Sequence, residues 1–122
     1  MKDKLALLKE NAYSPYFNYK VSAIVVMKDG KEFGGVNVEN ANGTSICAER
    51  NAIANAVANG YKKGDFKTLN IMTSSKNPST PCFACRQVIL EFFEENKVIK
   101  CFGTNGKYKA YKVKDSIFKL YC

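Results

Sequence analysis

The order of the apolar segments is the feature that most restricts what this chain can fold into. A strand–helix–strand–helix–strand run fills the middle, and a hairpin stands at each end. The predicted segments are helix 4–12, strands 20–28 and 32–38, helix 45–59, strand 68–74, helix 82–96, strands 98–103 and 107–113, and helix 114–121. Asp29-Gly30 and Asn105-Gly106 predict the hairpin turns. This order predicts an α/β fold in a single domain, residues 1–122, with one mixed sheet of five strands and helices on its faces.

The ends of the two central helices are marked by typical capping residues. Thr44 or Ser45 is the expected N-cap of the first, and Gly60 is its expected C-terminal stop. Pro81 directly precedes the second, and proline is favoured in a first helical turn. Each helix is therefore predicted to begin at the end of a loop that follows a strand.

Composition restricts the class of protein. The N-terminal segment is charged, its apolar run is too short for a signal peptide, and no stretch approaches the roughly 18 apolar residues of a membrane span. The net charge is +8, but two of the 19 basic residues are arginines and the rest are lysines spread along the chain. No basic stripe alternates with aromatic residues. We expect a cytoplasmic protein without a membrane or nucleic-acid partner; the lysine-rich stretch from Lys97 is the minor alternative, a polyanion site.

The five cysteines do not suggest a disulfide framework. Their number is odd, and nothing indicates export. Cys101 lies in the apolar run VIKCF and is expected to be a small buried hydrophobe, and Cys122 is terminal. Cys47, Cys82 and Cys85 remain, one at the start of the first central helix and two at the start of the second. The positive end of a helix stabilises thiolates, and two neighbouring strands would bring the three together.

Three cysteines and no histidine make an incomplete tetrahedron, which is the pattern of catalytic zinc with water in the fourth position. Such a site needs a nearby group that accepts and returns a proton, and Glu49 follows Cys47 by two residues. Three thiolates give Zn²⁺ a net negative charge, which a cation beside the sulfurs would offset. Arg50 is placed for that, whereas Arg86 is equally well explained as an ion pair.

Two other readings of the cysteines stay open. A C-x-x-C pair at a helix start is also typical of thiol redox proteins, and a structural zinc site in a lysine-rich nucleic-acid-binding protein is a second alternative. Neither explains Cys47-Ala48-Glu49. The joint occurrence of C-x-E at one helix start and P-C-x-x-C at another, 35 residues apart, favours a hydrolytic zinc site.

These residues resemble the zinc-dependent cytidine deaminases, whose wider class carries a metal-binding His or Cys, then Glu, then P-C-x-x-C. The resemblance covers most of the chain, in NAYSPYFNYKV at 11–21, KDGKEFGGVNVENA at 28–41, ICAERNAI at 46–53 and TPCFACRQVILEF at 80–92. It implies a three-layer α/β/α sandwich around a five-stranded mixed sheet. It also implies pyrimidine salvage, in which cytidine or deoxycytidine becomes uridine or deoxyuridine plus ammonia.

The resemblance assigns roles to the site residues. Cys47, Cys82 and Cys85 would bind one Zn²⁺ per subunit. Glu49 would take a proton from the water at the metal, protonate the ring at N3 and pass a proton to the leaving amine. The hydroxide would add to C4.

It also implies a nucleoside site. Asn37 and Glu39 would hold the ribose hydroxyls, the backbone of Ala48 would contact the base, and Tyr19 stands where the family usually has a phenylalanine against the base. Asn37 and Glu39 are expected to share one face of a strand because they alternate with valines.

The three-cysteine motif is common in the free-nucleoside enzymes of the class. Deaminases of the antibiotic blasticidin S also carry it and remain the alternative. A ribose diol suits the Glu39 carboxylate, which favours cytidine.

The chain departs from the family pattern in its loops and its C-terminus. The 40–47 loop looks one residue shorter than usual and lacks an aromatic that reaches across a subunit interface. Val21-Ser22 replaces a usual Val-Gly, and the C-terminal Leu-Pro pattern is missing. Tyr121 is a candidate for an aromatic that completes a neighbour's active site. The resemblance implies a homotetramer.

Overall fold

The elements of the fold occur in the predicted order. The computed structural model describes residues 1–76 and 83–116, with the backbone alone at 83–85 and 116. The elements are α1 (Lys2–Lys9), β1 (Val21–Met27), β2 (Glu32–Val36), α2 (Ala48–Ala58), β3 (Phe66–Thr73), α3 (Phe83–Phe92), β4 (Val98–Phe102), β5 (Tyr108–Lys112) and α4 (Val113–Ser116).

The five strands form one mixed sheet in the order β2-β1-β3-β4-β5. β1 pairs antiparallel with both β2 and β3, β3 pairs parallel with β4, and β4 pairs antiparallel with β5. The parallel pair is joined through α3, as a parallel connection requires a crossover. The predicted hairpin turns hold, and Gly30 and Gly106 adopt the positive φ angles of 94° and 82° that glycine tolerates.

The sheet separates two hydrophobic clusters, so the predicted three layers are confirmed. The larger cluster packs α2 and α3 against one face and includes Ala52, Ile53, Ile89 and Leu69. The smaller one packs α1 against the other face through Leu5. Its remaining buried members are Ile24, Met72 and Phe102. Cys101 belongs to the larger cluster and is 1% exposed, which confirms the prediction that it is a buried hydrophobe.

Several predicted element ends were wrong by a few residues. α1 spans residues 2–9 rather than 4–12, since the chain turns through successive short-range hydrogen bonds at 10–12. β2 ends at Val36 rather than residue 38, because Val38 leaves the main ladder to bridge Tyr13 and Ile46. α3 ends at Phe92 rather than residue 96, and the Phe92 carbonyl accepts the Gly64 N–H.

The last predicted helix, 114–121, begins one residue early and is described only as far as Ser116. The rest of that prediction lies outside the described residues. Among the helices of the described ranges, none combines the length and apolar character needed to cross a bilayer.

Gly35 allows α2 to lie directly on β2. A Cβ built on Gly35 would lie 2.6 Å from the Ala48 carbonyl oxygen and would also meet the Ala52 nitrogen, and both partners are backbone atoms. Ala48 and Ala52 are fully buried. The absence of a side chain at Gly35 therefore sets how close the first turns of α2 come to the sheet.

We expect Gly35→Ala to lower the free energy of unfolding by at least the ~1–3 kcal/mol typical of overpacking, because helix backbone cannot rotate out of the way. Gly34→Ala is the matched control. Its Cβ would meet Leu8 Cδ2 at 2.8 Å, and that methyl is the end of a flexible side chain. Urea unfolding followed by circular dichroism measures both. Equal losses in the two variants would contradict this account of the α2–β2 contact.

Candidate active site

The topology brings the starts of α2 and α3 to the same edge of the sheet. β2 and β3 run in the same direction because both are antiparallel to β1. Their ends are also level, since Val36 and Met72 both lie opposite Ser22. α2 is the next helix after β2, and α3 is the next helix after β3. The loop that precedes β1 reaches this edge too.

Cys47 is the N-cap of α2, so the predicted caps Thr44 and Ser45 were wrong. Its backbone is extended, with φ −74° and ψ 152°, and its carbonyl accepts the Asn51 N–H at 3.1 Å. The helix starts late because Ile46 exchanges two backbone hydrogen bonds with Val38, which keeps the chain extended up to Cys47. The half-buried Cys47 therefore stands at the positive end of the helix, where a thiolate is stabilised.

Glu49 lies in the first turn of α2, next to the fully buried Ala48. It is 5% exposed. A carboxylate at a helix N-terminus is favoured by the helix dipole, which helps to offset the cost of burying it. Cys47 and Glu49 are thus placed by the same turn, as the C-x-E spacing predicts.

Arg50 contacts the Cys47 sulfur. Its Nη2 donates to Cys47 Sγ at 3.7 Å and to the Ser45 carbonyl at 3.1 Å. A guanidinium beside a sulfur favours the thiolate form, which is the form that binds metal. This contact is what the predicted charge-offsetting role of Arg50 requires.

The other predicted metal ligands are only partly covered by the structure. The backbone of Cys85 lies in the first turn of α3, while its side chain, Cys82 and Tyr121 lie outside the described residues. Within the part of the chain that is described, no three His, Cys, Asp or Glu side chains are grouped to hold a metal. Cys47 at a helix start with Arg50 on its sulfur fits a thiolate zinc ligand, and the complete set stays a prediction. Arg86 is buried on α3, only 1% exposed.

Glu39 is buried and holds the loop before β1. One carboxylate oxygen accepts the Ser14 hydroxyl at 2.5 Å, and the other accepts the N–H groups of Tyr16 and Phe17 at 3.0 and 3.2 Å. Burial raises the pKa of Glu39, but these three hydrogen bonds outweigh it and bring the pKa below its ordinary value. Glu39 is therefore an anion at neutral pH. A carboxylate has about four acceptor positions, so the described donors leave one for a ligand.

Asn37 holds the same loop one step further along. Its Oδ1 accepts the Val21 N–H and its Nδ2 donates to the Tyr19 carbonyl, both at 2.8 Å. Asn37 and Glu39 lie beyond the end of β2, not within it as the alternation with valines predicts. Glu39 is nevertheless buried and Asn37 is half-buried, whereas Val38 between them is 40% exposed.

The chain's membership of a family follows from comparison with known proteins. A sequence profile described as the cytidine and deoxycytidylate deaminase zinc-binding region matches residues 1–101. This chain belongs to the cytidine and deoxycytidylate deaminase family.

Individual deaminases agree with that assignment. The cytidine deaminase of Mycoplasma genitalium is 34% identical over 111 residues, which cover 90% of this chain and 84% of the relative. That of Sporosarcina psychrophila is 42% identical over 85 residues, 69% of this chain and 61% of the relative. The crystal structure of cytidine deaminase from Burkholderia pseudomallei has a TM-score of 0.90 at 36% identity and covers 93% of this chain and 91% of that one.

The 40–47 loop closes on itself. Asn40 Oδ1 accepts the N–H groups of Asn42 and Thr44, and Asn40 Nδ2 donates to Thr44 Oγ1 at 2.7 Å. Gly43 completes the turn with φ 78°. The loop is a compact polar turn, and it delivers the half-exposed Ile46 directly before Cys47.

Sequence reasoning missed three serines at this edge of the sheet. Ser14 bonds Glu39 and Tyr19, Ser74 exchanges hydrogen bonds with the Lys20 backbone, and the Ser75 hydroxyl lies 2.8 Å from the Tyr19 phenol. Ser14-Pro15 indicated only the end of a helix. The signal available was position, since Ser14 begins an aromatic loop and Ser74-Ser75 directly follows a strand at the same sheet edge.

We expect Arg50→Gln to lower kcat/KM and to speed zinc loss to a chelator, each by about 10–100-fold, the usual cost of removing a partner of a metal ligand. The reason is the lost contact with Cys47 Sγ. Arg50→Lys is the comparison, because it keeps the charge but not the fork of donors. Steady-state kinetics and a colorimetric chelator assay measure both effects. Unchanged kinetics in Arg50→Gln at unchanged stability would remove this role.

Proposed function

We propose that this protein deaminates cytidine and deoxycytidine by hydrolysis, forming uridine or deoxyuridine and ammonia in pyrimidine salvage, with residues 1–122 as one catalytic domain. The observation that carries the proposal is the first turn of α2, where the buried Glu49 follows Cys47 and Arg50 contacts the Cys47 sulfur. Membership of the deaminase family supports the same reaction.

Cys47, Cys82 and Cys85 would hold one zinc ion per subunit. When bound, zinc acts as a Lewis acid and lowers the pKa of water, which makes a nucleophile at neutral pH. Arg50 would offset part of the charge of three thiolates.

Glu49 carries the proton transfers. It accepts a proton from the attacking water and delivers one to N3 of the ring as the oxygen bonds to C4. It then passes the second water proton to the amino group, and the C4–N bond breaks to release ammonia. A buried carboxylate suits this role, because with no bulk water around it the proton stays between Glu49 and the substrate.

The nucleoside would bind at the sheet edge beside Glu49. Asn37 and Glu39 would contact the sugar, Tyr19 would lie against the base, and the Ala48 backbone would bond the base. The described partners of Glu39 leave it one free acceptor position. It would therefore accept a hydrogen bond from one sugar hydroxyl and not from both hydroxyls of a diol. The carboxylate therefore gives no reason to prefer cytidine over deoxycytidine.

A homotetramer is the proposed assembly, with Tyr121 reaching a neighbour's site. A groove between α2 and α3 supports this assembly, because a second copy of the chain could pack into it. It is lined by Ala54, Val57, Ala58, Val88 and Phe92, and Val57 is 41% exposed. Arg50 lines the same groove, so an interface there would adjoin the active site.

We expect Glu49→Gln to lower kcat by at least about 10²–10⁴-fold, the contribution of a positioned general acid–base group, while zinc is retained. Glutamine keeps the shape and the helix position but cannot take a proton. Glu32→Gln is the matched control, since Glu32 pairs with Lys4 at the surface. Spectrophotometric turnover and zinc content are measured on the same samples. A Glu49→Gln protein that deaminates cytidine at the wild-type rate would refute the mechanism.

The substrate class is tested by incubating the purified protein separately with cytidine, deoxycytidine and blasticidin S and following the absorbance loss on deamination, with zinc content determined on the same sample. We expect loss with both nucleosides. Loss with blasticidin S alone would keep the chemistry and replace the substrate. Zinc without turnover of any of the three, or metal-free protein with a reversible Cys82–Cys85 disulfide, would overturn the proposal in favour of a structural zinc or a redox protein.

A further inference from the structure

The hydroxyl of Ser14 lies between two groups that the nucleoside would contact. Ser14 Oγ donates to Glu39 Oε2 at 2.5 Å and accepts the Tyr19 N–H at 2.8 Å. Ser14 is 9% exposed and Glu39 is 5% exposed. One buried hydroxyl thus connects the carboxylate expected at the sugar to the backbone of the aromatic residue expected at the base.

The loop between these two groups is folded tightly around Glu39. Its Oε1 accepts two successive backbone N–H groups, at Tyr16 and Phe17. Asn18 follows with φ 51°, in the left-handed region that asparagine enters more readily than most residues, and its N–H bonds the Ser14 carbonyl at 3.1 Å. The chain thereby turns back, so that Tyr19 meets the Ser14 hydroxyl.

Tyr19 is held at three points. Besides the Ser14 hydroxyl on its N–H, its carbonyl accepts Asn37 Nδ2, and its phenol oxygen lies 2.8 Å from Ser75 Oγ. The bonds from Asn37 and Ser75 connect Tyr19 only to the ends of the neighbouring strands. Of these three partners, Ser14 is the one that also bonds Glu39.

We propose that Ser14 is a positioning residue, which aims the Glu39 carboxylate at a sugar hydroxyl and ties it to Tyr19. The proposal rests on the proposed function. Since Tyr16 and Phe17 occupy one carboxylate oxygen, the Ser14 bond to the other fixes the direction of the last acceptor position. Without the hydroxyl, Oε2 loses a charge-assisted hydrogen bond, and Tyr19 loses the acceptor of its N–H.

The test compares Ser14→Ala with the wild type, using cytidine as substrate and 2′,3′-dideoxycytidine as a competitor that lacks the 2′- and 3′-hydroxyls of the ribose. We expect Ser14→Ala to raise KM for cytidine about tenfold or more, the usual effect of losing a hydrogen bond to a charged group. The Ki of the dideoxy competitor should rise about threefold or less, since the neutral bond to Tyr19 is the weaker one. The value of kcat should stay within about twofold, because the lost interaction binds the substrate and the transition state equally.

Two further variants separate positioning from stability. Ser14→Thr keeps the hydroxyl and should retain a KM near that of the wild type. Ser22→Ala is the matched control, since the fully buried Ser22 hydroxyl donates to the Leu5 carbonyl at 2.7 Å on the other face of the sheet. It should lower the melting temperature without changing the ratio of KM to Ki.

The outcomes distinguish a failure of the Ser14 proposal from a failure of the proposed deaminase function. A wild-type protein that does not deaminate cytidine refutes the proposed function. An active wild type whose Ser14→Ala variant raises KM and Ki equally, or neither, overturns the role of Ser14 alone. Should Ser14→Ala not fold, Ser14→Cys, a weak donor of similar size, replaces it. Failure of both to fold would assign the hydroxyl to folding and overturn the proposal as well.

Discussion

The contact between the backbone of α2 and the backbone of β2 at Gly35 determines where Cys47 and Glu49 lie. Ala48, whose carbonyl oxygen lies over Gly35, is flanked by Cys47 and Glu49, so this one contact fixes the height of both above the sheet. The common direction of β2 and β3 then brings the start of α3 to the same edge. The positions of Cys47 and Glu49 are thus a consequence of close packing, and Arg50 adds polar contacts to Cys47 Sγ and the Ser45 carbonyl.

A second layer of the site is built from hydrogen bonds to a loop. Of the residues expected to bind the nucleoside, Glu39 accepts three hydrogen bonds from the segment before β1. Asn37 bonds Tyr19 of that segment and Val21 at the start of β1. Such groups are pre-organised, because their directions are fixed before a ligand arrives.

Surface ion pairs contribute less to the structure than these hydrogen bonds. Each ion pair recorded among the described residues has a partner more than one third exposed, and pairs of this kind contribute little.

The sequence allowed the element order, the layers and the position of Glu49 to be predicted, because hydrophobic periodicity and the C-x-E spacing are local signals. It did not reveal that Cys47 rather than Thr44 or Ser45 is the N-cap of α2, since the Val38–Ile46 bridge that delays the helix joins residues eight apart. Nor did it reveal Ser14, whose partner Glu39 is distant in sequence. Contacts of this kind become visible only once the loop and the strand end are folded together.

We propose that the starts of α2 and α3 supply three thiolates to one zinc ion and leave its fourth position open for water. Zinc K-edge X-ray absorption on the purified protein measures this ligand set. We expect three sulfur ligands at about 2.3 Å and one oxygen at about 2.0 Å. Four sulfur ligands would make the site structural and closed, and protein that binds no zinc would remove the metal site altogether. Either result would rule out a catalytic three-cysteine zinc site.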